Sequence, residues 1–77
     1  MSTTVLQIID ELLEKYIGYE VSAVTNGGHY LVGILNYNTS IVYDEYKFSI
    51  TDSSDNKVNY YVNSEDLKTV AIKLKGD

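Results

Sequence analysis

Val32-Gly33-Ile34-Leu35-Asn36-Tyr37-Asn38-Thr39-Ser40-Ile41-Val42 is the stretch whose reading decides the fold. An apolar run broken by one glycine, then an asparagine-rich turn, then a return to Ile-Val-Tyr, is the pattern of a sharply bent strand in a small barrel. Glycine at position 33 permits the bend and lets a second backbone come close.

The flanking segments repeat the strand pattern. On the N-terminal side, Tyr19, Val21 and Ala23 alternate with Glu20, Ser22 and Val24, a period of two that predicts a strand. Asn26-Gly27-Gly28 tolerates positive φ, so this strand turns into a second one over 29–36 as a hairpin. On the C-terminal side a third strand is expected over 41–51, with Tyr46, Phe48 and Ile50 alternating with Lys47 and Ser49. Residues 52–57, Asp-Ser-Ser-Asp-Asn-Lys, have the composition of an exposed hairpin tip. A fourth strand over 58–62, a tight turn at 63–66 and a fifth strand over 69–75 complete the series, the last with Val70, Ile72 and Leu74 inward.

Only residues 1–17 carry a helical period. Leu6, Ile9, Leu13 and Tyr16 form a stripe that Val5, Ile8 and Leu12 widen. Thr4 and Gln7 fit a capping box, Glu11 and Lys15 an i,i+4 pair, and Gly18 a left-handed C-cap. The expectation is one mostly β domain over 1–77. It comprises an N-terminal helix, 1–17, packed across the end of a five-stranded, strongly bent antiparallel SH3-like barrel over 19–75.

Seventy-seven residues bury little surface, and with no cysteine in the chain neither a disulfide nor a thiolate metal site is available. Oligomerisation is the leading way to bury more. Eleven acidic residues against six lysines leave a net charge of −5 and no arginine, a long-range field opposed to broad phosphate binding. No apolar run approaches the roughly 20 residues of a membrane span, and no basic-flanked apolar leader opens the chain, so a soluble, cytoplasmic protein is expected.

The order of elements and the turn residues resemble the Sm-like (LSm) family, in a divergent bacterial or phage-type form, over essentially the whole chain. Gly33, Leu35, Asn38, Ile41 and Val42 fall at the places of the family's first motif, with Asn38 where aspartate is usual and Val42 where asparagine is usual. Val62, Asn63, Ser64 and Leu67 match the spacing of the second, with Asn63 and Ser64 in place of its arginine and glycine. The resemblance implies a cyclic homo-oligomer of about five to seven subunits, joined through the fourth and fifth strands. Val58, Tyr60, Val62, Val70, Ile72 and Leu74 would then be the interface positions. It also implies single-stranded RNA at the ring pore or rim, with Tyr37 and Tyr61 stacking on bases and Asn38 and Asn63 bonding to them. The acidic composition leaves a second reading open, an assembly or protein-interaction module that binds no nucleic acid.

Neither a catalytic nor a metal constellation is legible. His29, the one histidine, has no acid, base or nucleophile near it in sequence, and the 52–57 cluster lacks calcium-loop spacing. No enzyme activity and no cofactor are therefore expected. Of the eight tyrosines, Tyr16, Tyr19, Tyr30, Tyr46 and Tyr60 are expected as half-buried wall residues, and Tyr37, Tyr43 and Tyr61 as displayed ones.

Overall fold

Alternating side chains build the middle of the molecule as expected. The computed structural model describes residues 3–5 and 9–73, which form an antiparallel sheet and one short α-helix. In chain order these are β1 (Thr3–Val5), α1 (Asp10–Glu14), β2 (Glu20–Thr25), β3 (Tyr30–Tyr37), β4 (Phe48–Asp52), β5 (Asn59–Val62), a 3-10 turn (Ser64–Asp66) and β6 (Leu67–Lys73). The strands lie in the order β1-β6-β2-β3-β4-β5. β2 to β5 are thus a meander, and β6 returns to lie beside β2. No pairing joins β1 to β5 among the described residues, so the sheet is open along that seam rather than closed as a barrel.

One face of each strand from β2 to β6 feeds a single core. Val21, Ala23, Leu35, Phe48, Ile50, Val70 and Ile72 are essentially inaccessible, and Leu13 of α1 joins them from the end of the sheet. Tyr16, Ile17, Tyr19 and Tyr60 pack around this cluster with part of each side chain exposed. The β2–β3 hairpin turns at Gly28, whose φ of 88° suits glycine, while Thr25 N–H donates to the His29 carbonyl at 2.9 Å.

Gly33 lies between Val21 of β2 and Asp52 of β4. A Cβ built there would stand 1.9 Å from the Thr51 carbonyl oxygen and 2.6 Å from its carbon. The requirement is close backbone approach, not unusual φ, and it is the reason that β4 can cross β3 so tightly at this point.

Three expectations need correction. The helix expected over 1–17 is realised only as Asp10–Glu14, with Ile9 as an N-cap that makes no side-chain cap bond. Thr3–Val5 instead pair with Ala71, Ile72 and Lys73 of β6. Three β-branched residues beside a strand with a free edge favour that pairing over a helical start. The capping partner Gln7 and the stripe residues Leu6 and Ile8 lie outside the described residues.

The third strand, expected over 41–51, begins only at Phe48. Asn38 and Ser40 side chains divert the backbone before it. Ser40 N–H donates to Asn38 Oδ1, and Val42 and Tyr43 N–H donate to Ser40 Oγ, which makes a turn where a ladder was expected.

The fifth expected strand is not an edge, because β1 covers the outer side of β6. The side chains of Val62, Val70 and Ile72 point into the core. Tyr60 is half-buried against that core, Val58 is half-exposed, and Leu74 lies outside the described residues.

Replacing Gly33 with alanine should therefore cost about 2–3 kcal/mol, since the obstruction is backbone that cannot rotate away. For a domain of this size we expect a fall in Tm of about 10–20 °C by calorimetry. An unchanged Tm would show that β3 and β4 do not approach as described.

Candidate functional site

The residues singled out from the motifs do meet, but their amides are occupied by the chain itself. Asn38 Nδ2 donates to the carbonyls of Tyr43 and Tyr46 at 2.7 and 2.8 Å, and its Oδ1 accepts Ser40 N–H at 2.8 Å. Asn63 Oδ1 accepts Lys47 N–H at 2.8 Å while its Nδ2 donates to the Glu45 carbonyl at 3.0 Å. Lys47 joins the two, because its carbonyl accepts Asn38 N–H at 2.9 Å. Together the two asparagines pin the 38–47 loop to the turn after β5. Asn38 supplies two donors to two carbonyls, which an aspartate at that position could not do.

The same corner anchors α1. Lys47 Nζ reaches Glu14 at 2.6 Å and Asp10 at 3.5 Å, so it is Lys47, rather than Lys15, that pairs with the helix carboxylates. A hydrogen bond from Ser64, followed by the Lys47 charge, holds the Asp10 carboxyl below its ordinary range. Hydrogen bonding to Glu14, followed by its charge and that of Asp10, raises the Lys47 ammonium. These groups are exposed and the clip is modest. Its contribution is present above the unfolded carboxylate pKa and lost as pH falls through the depressed one. For Lys47 it is present below the unfolded lysine value and lost as pH rises through the raised one.

Tyrosines, by contrast, converge in a way that no local pattern announces. A groove of about 720 Å³ runs between the β2–β3 hairpin, the 38–47 loop and β5. Tyr30, Tyr43, Tyr46, Tyr60 and Tyr61 line it, five of the eight in the chain, with His29 at the hairpin end. Tyr43 and Tyr61 stack with centroids 4.7 Å apart and planes at 25°. Tyr30, expected as a wall residue, is 67% exposed at the groove lip. With His29 neutral, no described lining residue carries a formal charge. Five rings from three separated segments could be brought together only by the fold.

Tyr37 stacks on Phe48, 6.1 Å between centroids, and borders a second, polar hollow of about 600 Å³ on the other face of the sheet. Tyr61 contributes to both surfaces. The polar groups of the hollow are turned to one another. Asn36 Nδ2 donates to the Ile34 carbonyl and Thr51 Oγ1, and Thr51 Oγ1 donates to Asn59 Oδ1 at 2.7 Å.

Beside the groove, β5 is an edge strand with no partner on its outer side among the described residues. Asp52 N–H donates to the Val58 carbonyl at 2.9 Å, which sets the phase of the β4–β5 ladder. Antiparallel pairs alternate, so Tyr60 and Val62 bond inward and the N–H and C=O of Asn59 and Tyr61 point out. The strand Asn59-Tyr60-Tyr61-Val62 holds no charge and no proline that would discourage pairing.

The remaining candidates lie at the surface. His29 is exposed and its backbone N–H donates to Thr25 Oγ1 at 3.1 Å. Asp55 Oδ1 accepts Lys57 N–H at 3.0 Å, an ordinary turn bond. Among the described residues no group of three His, Cys, Asp or Glu side chains is placed to hold a metal ion. No described helix is long and apolar enough to cross a membrane. No family model matches the chain, and neither does a curated protein or a solved structure.

Two measurements check this corner. Asn38→Asp should lose about 1–3 kcal/mol in urea unfolding, because two carbonyls lose their donors and face a carboxylate instead. Wild-type stability in that variant would mean that the amide does not bracket the loop. Lys47→Met should lower Tm slightly at neutral pH. That difference should shrink as pH falls through the depressed value of Asp10, whose protonation removes its attraction to the lysine. A difference that persists at pH 2 would assign the effect to packing of the lysine stem.

Proposed function

We propose that this chain is a non-enzymatic, self-assembling interaction module built on a partly open SH3-like barrel of the Sm-like kind. The return of β6 beside β2 and the tight β3–β4 crossing at Gly33 support that architecture. The observation that carries the function is the uncharged β5 edge, unpaired on its outer side among the described residues, with outward backbone groups at Asn59 and Tyr61 beside a tyrosine-lined groove. An exposed edge of this kind is a template for another chain, and tyrosine is enriched where proteins meet. The neighbouring chain is a second copy, in a cyclic assembly.

RNA is the less favoured reading. Base recognition by Asn38 and Asn63 would have to break the bonds that shape the 38–47 loop. The groove offers rings for stacking, but no lysine lines it and the whole chain is at −5. Phosphate contacts, the usual source of nucleic-acid affinity, have no cationic partner there.

Light scattering at micromolar concentration should give a mass several times the 8.7 kDa of one chain. Asn59→Lys, a charge on the β5 edge, should shift it toward the monomer while leaving the circular dichroism unchanged. A monomeric wild-type protein would overturn self-assembly. Oligo-U at about 100 μM and low salt should show no saturable binding. Saturable binding lost in Tyr37→Ala and Tyr61→Ala would instead establish the RNA reading.

A further inference from the structure

Among the described residues, the most exposed large apolar side chains are neighbours. Ile41 and Val42 are 89% and 73% exposed at the tip of the 38–47 loop. Two adjacent aliphatic side chains in water are costly to hold there, by up to about 1.5–3 kcal/mol each relative to full burial. They are also held in place. Ser40 Oγ accepts the N–H of Val42 and of Tyr43 at 3.2 and 3.3 Å, and Tyr46 N–H donates to the Tyr43 carbonyl at 3.1 Å. A tip fixed in this way loses little conformational freedom when it docks.

We infer that the Ile41–Val42 tip of one copy seats in the tyrosine groove of a second copy. This rests on the self-assembly reading and names its contact. The tip cannot serve its own groove, because Tyr43 and Tyr46 of the same loop form part of the groove wall while Ile41 and Val42 stand in solvent. Charge selects the pairing as well. Copies carrying −5 repel one another, so a self-contact must use surfaces without charge. Residues 40–43 are Ser-Ile-Val-Tyr, and the described groove lining has no formal charge with His29 neutral. The acidic pair Asp44-Glu45 follows the tip and is exposed, so it remains in water at the rim. Knob and groove are different patches of one surface, which makes the contact head-to-tail.

The test is complementation between two variants. Ile41→Asp with Val42→Asp destroys the tip and leaves the groove. Tyr30→Asp alters the exposed groove lip and leaves the tip. Each variant alone should run as a monomer of 8.7 kDa in light scattering with wild-type circular dichroism. Mixed one to one, they should form a heterodimer, because the intact tip of one meets the intact groove of the other. Assembly of either variant at the wild-type mass, or a mixture that stays monomeric, overturns the contact while leaving self-assembly standing. A monomeric wild-type protein removes self-assembly itself, so the two failures are separable.

Discussion

The close approach of β3 to β4 at Gly33 is the constraint on which the other elements depend. With the Thr51 carbonyl where a Cβ would lie, the two backbones can cross without a side chain between them. That crossing puts Leu35 against Ile50 and, one strand further, Ile50 against Tyr60, so the core row runs across three strands.

Asparagine does in this chain what disulfides do in many small domains. There is no cysteine, and α1 has five residues, too few to be stable on its own. Asn38 and Asn63 stand in for backbone partners on both sides of the 38–47 loop, and Lys47 passes the connection on to Asp10 and Glu14. Asn26 adds a third bracket, its Nδ2 donating to the Glu65 carbonyl at 2.7 Å while its N–H donates to the Asp66 carbonyl at 2.9 Å. Hairpin tip, loop and helix are thereby tied to one 3-10 turn. Most of these bonds end on backbone carbonyls or N–H groups, which explains why neutral amides, rather than charged side chains, occupy the turn positions.

How much was legible follows from the range of each interaction. The β2–β3 hairpin, the inward set Val21, Ala23, Phe48, Ile50, Val70 and Ile72, and the role of Gly33 rest on period and turn chemistry within a few residues, and they were readable. The segment over 41–47 was misread because its apolar residues promise a strand, while Asn38 and Ser40 offer the backbone nearer partners. The first residues were misread for a related reason. A helical stripe says nothing of the edge of β6, and pairing with that edge turned Thr3–Val5 into a strand. Of the candidate site, the displayed character of Tyr37 and Tyr43 was visible in the sequence. The convergence of Tyr30, Tyr46 and Tyr60 with Tyr43 and Tyr61 was not, because they lie on three segments that meet only after β3, β4 and β5 are in register.

Charge placement completes the account. Among the described acidic residues, Asp10 and Glu14 face Lys47, and Asp66 caps the 3-10 turn through Asn63 N–H. Asp44, Glu45, Glu65 and Asp55 lie on exposed turns. None lines the groove, and none lies on β5. A chain with this many carboxylates that keeps one contiguous surface free of them has restricted where another acidic copy can approach. Repulsion elsewhere then works in favour of specificity, since every orientation but the one that joins uncharged surfaces is penalised. In the proposed self-contact the aromatic groove would supply area, the β5 edge backbone donors and acceptors, and the acidic turns the penalty on other orientations.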